Sequence, residues 1–101
     1  TQNNNVMKLN ILVLCKQPEI KDTILRLLSA EADWNAEAAI NAEEALQAKG
    51  NYDVILLGSG FSLSADKELC NHLQQKHPNA RIIEHYGGGS GLLFGEIRAV
   101  I

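Results

Sequence analysis

Apolar positions along this chain keep changing period, and the changes divide it into alternating strands and helices. "KLNILVLCK" (8–16) holds Leu9, Ile11, Leu12, Val13 and Leu14 almost without interruption, as a strand covered on both faces does. In "QPEIKDTILRLLSAEA" (17–32), Ile20, Ile24, Leu27 and Leu28 form one stripe of a helix. Pro18 suits its first turn, and Glu19 suits the positive end of its dipole. "WNAEAAIN" (34–41) predicts a weaker strand with Trp34, Ala36, Ala38 and Ile40 on one face. "NAEEALQAKGN" (41–51) predicts a short helix, with Asn41 as cap, Glu44 at capping-box spacing and Gly50 terminating it in the left-handed conformation.

The second half repeats the alternation. "YDVILLG" (52–58) is a strand, and "SLSADKELCNHLQQKHP" (62–78) a helix with Leu69, Cys70 and Leu73 on one face, stopped by Pro78. "ARIIEHYG" (80–87) is a fourth strand. "GLLFGEIRAVI" (91–101) has helical spacing at Leu93, Ile97, Val100 and Ile101, with Gly95 weakening it by about 1 kcal/mol relative to alanine. Short strands joined by helices require right-handed crossovers, hence a parallel sheet with helices on both faces. The expected strand order is 2-1-3-4, with the switch point between strands one and three. Cys15-Lys16-Gln17 and Gly58-Ser59-Gly60 then become neighbours, and any ligand site belongs there.

Composition narrows the function. A chain of 101 residues, 46% apolar and 21% charged, suits one globular domain. Nine basic against twelve acidic residues leave a net charge of −3, which argues against nucleic acid or an anionic membrane as partner. Two cysteines do not make a disulfide framework, and the cytoplasm is the expected setting. No apolar stretch approaches the roughly 18–20 residues of a membrane span. "TQNNNV" lacks the plan of a signal peptide, so residues 1–7 are expected to be a disordered polar tail and 8–101 the domain.

The layout resembles the receiver domain of bacterial response regulators. The motifs that carry the resemblance are "NILVLCKQPEIKDTILRLL" and "NAEEALQAKGNYDVILLG", and it covers about residues 8 to 101. It implies a flavodoxin-like (CheY-like) three-layer α/β/α domain with a four-stranded parallel sheet. In that family the first strand ends in an acidic pair that holds magnesium; here the matching residues are Cys15 and Lys16. The phosphoacceptor aspartate matches Gly58, and the switch hydroxyl falls at approximately His85-Tyr86. The lysine ending a fifth strand has no counterpart, the chain being about 15–20 residues shorter than the usual receiver. Aspartyl phosphorylation needs a carboxylate nucleophile and hard oxygen ligands for a divalent cation, and these positions supply neither. Asp53 lies roughly 15 Å from Gly58 along an extended strand and is no substitute. The expectation is a degenerate pseudo-receiver, neither an enzyme nor a holder of metal or cofactor, that works as a phosphorylation-independent signalling and interaction module.

Two other readings compete. Cys15, at a strand end before a helix, suits a thiol-dependent phosphate carrier or phosphatase-like enzyme, and Lys16 could favour its thiolate. Against that, "CKQPEIK" lacks glycine and serine, includes Pro18 without an N–H, sets Glu19 against an anion, and has Lys21 where the phosphatase spacing needs arginine. A small-ligand or anion sensor would use Ser59, Gly60, Gly87, Gly88, Gly89 and Ser90, although neither glycine segment matches a P-loop or dinucleotide fingerprint. His72, His77 and His85 lack metal spacing and are expected to be solvated or locally bonded. The last helix carries more apolar surface than one face hides. Tyr86, Leu92, Phe94, Ile97 and Ile101 are therefore expected to form, with strand four, a surface for a homodimer or a protein partner. The rival expectation is that this helix simply covers the core.

Overall fold

The computed structural model describes residues 9–85 and 90–100, and the backbone alone of 90–92. The four strands are β1 (Leu9–Leu14), β2 (Trp34–Ala39), β3 (Val54–Leu57) and β4 (Arg81–Glu84). The helices are α1 (Pro18–Leu28), α2 (Ala42–Gln47), α3 (Lys67–Lys76) and α4 (Ser90–Arg98). All strand pairs are parallel, in the order β2-β1-β3-β4, as the alternation of periods requires. This is the three-layer flavodoxin-like α/β/α fold.

Strand alternation splits the core in two. Leu12, Leu14, Ile55 and Leu57 meet Ala45, Leu69, Cys70 and Leu73 of α2 and α3. Ile11, Val13, Cys15, Val54 and Leu56 meet Ile24 and Leu28 of α1 and Leu93 and Ile97 of α4. The final helix thus shares a face with α1. Three contacts seat it there: Phe94 packs 5.7 Å from the Trp34 ring, Arg98 lies over both rings and bonds Glu31 at 3.0 Å, and Glu96 bonds His85 of the β4 end at 2.6 Å.

Local chemistry moves several predicted boundaries. The segment 62–66 is turn rather than helix, because Ser62 and Asp66 bind it internally. The Ser62 N–H donates to Asp66 Oδ2 at 2.9 Å and the Ala65 N–H to the Ser62 hydroxyl at 3.0 Å. Helix α2 begins as expected, with the Glu44 N–H donating to Asn41 Oδ1 at 2.8 Å. Glu44 reaches back to the N–H of Ile40, one residue before the cap. The helix stops at Gln47, where Ala48 is already extended (ψ 132°). Gly50 therefore does not provide a left-handed terminus; among the described residues only Gly60 has positive φ. Ile40 departs from the inward face of β2 and is exposed. His77, expected to be solvated or locally bonded, is only 6% exposed, its ring set edge-on to Tyr52 at 5.1 Å.

Candidate functional site

The ends of β1 and β3 meet at the carboxyl edge of the sheet, as the switch point requires. The Gly58 N–H donates to the Leu14 carbonyl at 2.6 Å, and the Lys16 N–H to the Ser59 carbonyl at 2.9 Å. The two loops are stitched through backbone, and their side chains interlock. A Cβ placed on Gly58 would lie 3.1 Å from the Leu14 carbonyl oxygen and 3.3 Å from Cys15 Cβ. Gly60 has φ +90°, and a Cβ there would sit 2.7–2.9 Å from the Lys16 stem. Close packing favours glycine at both positions, and the backbone conformation favours it at Gly60. Residue 58 thus carries no carboxylate, and a side chain there would press on the Leu14 carbonyl and Cys15.

Lys16 spans the edge. Its stem crosses Gly60 and its ammonium lies 5.2 Å from the centre of the Phe61 ring, a cation–π distance. Cys15 belongs to the core, 0% exposed, and its thiol donates to the Gln17 carbonyl at 3.5 Å. Such a sulfur is not presented to an incoming phosphate. Cys70 is also free and buried, among the α2/α3 residues on the other face of the sheet, so the sheet separates the two thiols. Asp53 is occupied at the opposite edge, where its carboxylate accepts the Asn10 N–H at 2.9 Å.

A groove of about 890 Å³ opens beside this seam, between α1, the 58–62 loop, the end of β4 and α4. Ile20, Ile24, Leu27, Phe61 and Leu93 supply its apolar walls, and Ser59, Ser62 and Thr23 its hydroxyls. Gly58, Gly60, Glu19, Glu84 and His85 complete the lining. Glu84 also accepts the Leu63 N–H, which holds the 58–63 loop to the end of β4.

The predicted residues fall into three groups. Gly58, Ser59, Gly60, Cys15 and Lys16 come together. Tyr86, Gly87, Gly88, Gly89 and Ile101 lie outside the described residues, as do the side chains of Ser90 and Leu92. The proposed apolar surface needs correction. Ile97 is 0% exposed in the α1/α4 core, and Phe94 is half-buried against Trp34 and Arg98. Both side chains are engaged in seating α4, as the rival reading had it. The groove opens at Gly58, Ser59 and Gly60, where a ligand site was expected, but its α1 and α4 walls were not anticipated; their signal was Ile20 and Leu27, two apolar residues at the edge of the α1 stripe.

Among the described residues no three His, Cys, Asp or Glu side chains are grouped to hold a metal. Nor is any helix among them long and apolar enough to cross a membrane.

Known structures place the fold. The signal receiver domain of an HD domain-containing protein from Pseudomonas fluorescens Pf-5 matches with TM-score 0.62 and 15% identity, over 92% of this chain and 94% of that one. A chain in the complex of the P1 domain of CheA3 with CheY6 from R. sphaeroides matches with TM-score 0.60 and 16% identity, over 93% and 97%. An adenylate cyclase from Rhodopirellula baltica matches with TM-score 0.63 and 19% identity, over 93% of this chain and 69% of that one. No family model and no curated protein sequence matches the chain. The class is therefore a receiver-like fold, defined by architecture.

Proposed function

We propose that this chain is a non-catalytic, phosphorylation-independent receiver-like module of cytoplasmic signal transduction that acts through protein contacts. The observation that carries this reading is the interlocked edge. Where the receiver resemblance expects an acceptor carboxylate, Gly58 has no side chain, and a Cβ there would lie tight against the Leu14 carbonyl and Cys15. Where it expects a metal-binding acid, the Lys16 cation lies across Gly60 and Phe61. A divalent cation has no carboxylate pair to bind there and an ammonium to repel it.

Protein partnership is supported by the neighbour from the CheA3–CheY6 complex and by the β4 edge. The N–H groups of Arg81 and His85 donate to the Asp53 and Leu57 carbonyls on the β3 side, so the backbone of Ile82 between them turns to the other side. A cavity of about 530 Å³ follows that side past Ala80, Arg81, Ile82, Ile83 and Val100. Partner or second-copy docking is assigned to this strand and the outer surface of α4, without Ile97. The thiol-dependent alternative has little support, since burial withholds Cys15 from substrate.

Amide NMR titration with magnesium plus acetyl phosphate, then magnesium plus beryllofluoride, on wild type and Cys15→Ser tests the reading. Absence of shifts at Cys15 and Gly58–Gly60 in both proteins is expected. Clustered shifts there would overturn it, and their loss in Cys15→Ser would make the thiol the centre of an enzyme. Light scattering over a dilution series of wild type and Ile82→Lys examines self-association.

A further inference from the structure

Among the described residues the sheet ends at β4, and the backbone of that strand decides what fits beside it. In a parallel ladder, alternate residues turn their N–H and C=O groups to opposite sides. The Arg81 and His85 N–H groups go to the Asp53 and Leu57 carbonyls. Ile82 and Glu84 therefore turn theirs outward, along the cavity of about 530 Å³. A row of backbone donors and acceptors is a template for another strand.

The same row fixes the register of a symmetric pairing. Two strands related by a two-fold axis run antiparallel, and residues directly opposite must both turn outward or both inward. The candidate axes lie at Ile82, Ile83 and Glu84. An axis at Ile82 needs Ala80 to bond Glu84 of the second copy. Ala80 is already bonded, its N–H to the His77 carbonyl at 3.0 Å and its carbonyl to Gln74 Nε2 at 2.9 Å. An axis at Glu84 sets two carboxylates directly opposite, which is unfavourable. An axis at Ile83 has neither fault.

We propose that the β4 edge pairs antiparallel with β4 of a second copy of this chain, about a two-fold axis at Ile83. The pairing rests on the reading that this module acts through protein contacts, and it joins two four-stranded sheets into one. Ile82 of each copy exchanges backbone hydrogen bonds with Glu84 of the other. The two Ile83 side chains meet at the axis on the α1/α4 side of the sheet, next to Val100 in the cavity lining. The strand is also electrostatically self-complementary. Exposed Arg81 stands at its start, whereas Glu84 and Glu96 lie at its end, and the antiparallel arrangement brings start against end. Arg81 comes opposite His85 of the second copy, whose ring stays bonded to Glu96. The Glu84 carboxylate keeps the Leu63 N–H, since the pairing uses only its backbone.

Cysteine trapping reads this register in the full chain, because Cys15 and Cys70 are both buried. In Ile83→Cys the new thiols face each other, and mild oxidation should give a disulfide dimer on a non-reducing gel. In Ile82→Cys they are offset by two residues each way, beyond the roughly 7 Å that a disulfide spans between Cα atoms, and little dimer should form. Light scattering of the wild type should show the mass doubling with concentration. Its Ile82 amide should exchange at least about tenfold more slowly in the concentrated sample. Ile82→Pro removes only an outward N–H, which an edge strand tolerates, and should stay folded and monomeric; if it does not fold, the cysteine pair decides. A wild-type monomer at every concentration, cross-linking of Ile82→Cys as fast as Ile83→Cys, or a dimeric Ile82→Pro would overturn the pairing. None of these would touch docking of a different protein, so the two readings fail separately. An Ile83→Cys cross-link that needs magnesium plus beryllofluoride would support the pairing and overturn phosphorylation independence instead.

Discussion

Lys16 lies across Gly60, its Cβ, Cγ and Cδ within 2.7–2.9 Å of where a glycine Cβ would stand. The residue two beyond β1 and the residue three beyond β3 are thereby a single packed unit, sealed by the Lys16 N–H to the Ser59 carbonyl. Gly60→Ala combines a left-handed backbone at φ +90° with that clash. The variant should lose about 1–3 kcal/mol in urea unfolding. Removing the stem in Gly60→Ala/Lys16→Ala relieves the clash and not the backbone strain, so the double variant should recover part of the loss. Recovery of none of it would show that the Lys16 contact is unimportant.

Gly58 meets a stiffer neighbourhood, because the nearest atom is the Leu14 backbone oxygen at 3.1 Å. Gly58→Asp should cost about 1–3 kcal/mol through overpacking. On the proposed reading it should not confer labelling by acetyl phosphate, since Cys15 and Lys16 at the end of β1 supply no carboxylate for a divalent cation. Phosphate-affinity electrophoresis of the variant checks this; a magnesium-dependent mobility shift would show that the edge opens more readily than its packing indicates.

Helix α4 contains a glycine that its surroundings do not require. Gly95 is exposed, and a Cβ there meets nothing within 4 Å. Gly95→Ala should therefore raise stability by about 0.5–1 kcal/mol, the difference in helix propensity. Thermal and denaturant midpoints should both rise. A fall would mean that this face of α4 is covered in solution.

His77 makes stability depend on acid. Its Nε2 is buried without a hydrogen-bond partner among the described residues. Burial, and secondarily the Lys76 charge, lower its pKa from the ordinary 6.5. The unfolded chain therefore takes up the proton first. The contribution is complete above pH 6.5 and is lost as pH falls from there through the lowered folded-state value. His77→Phe should flatten this part of the stability–pH curve, with the other histidines unchanged. An identical slope in the variant would assign the acid sensitivity elsewhere.

Tyr52 gives the complementary dependence at high pH. Burial first, then the hydrogen bond to Glu37 and its charge, push the phenol up to about 12 from 10.0. The hydroxyl donates to Glu37 Oε1 at 2.7 Å. The unfolded chain loses this proton first, so stability should decline as pH rises past 10.0 towards 12. Tyr52→Phe should abolish that decline and cost about 0.5–1.5 kcal/mol at neutral pH. Absorbance of the tyrosinate during alkaline titration follows the same proton.

The order of strands was legible because it follows from local periodicity and the handedness of crossovers. Unbroken runs at Ile11–Leu14 and Val54–Leu57 mark central strands, and helices between them leave few topologies. The meeting of Cys15-Lys16 with Gly58-Ser59-Gly60 was legible for the same reason. Boundaries at 62–66 and at Gln47 were less so, since Ser62, Asp66 and Glu44 settle them through individual hydrogen bonds that propensity does not encode.

Sequence alone determined the architecture and the absence of a carboxylate at residue 58, since both depend on residue type and order. Tertiary structure decided that the glycines are there to admit Cys15 and the Lys16 stem, and that His77 is buried against Tyr52. It also decided that α4 spends Ile97 and Phe94 on the α1 side and leaves a groove beside it. These outcomes depend on distances between segments remote in the chain, where a few tenths of an ångström separate close packing from a clash.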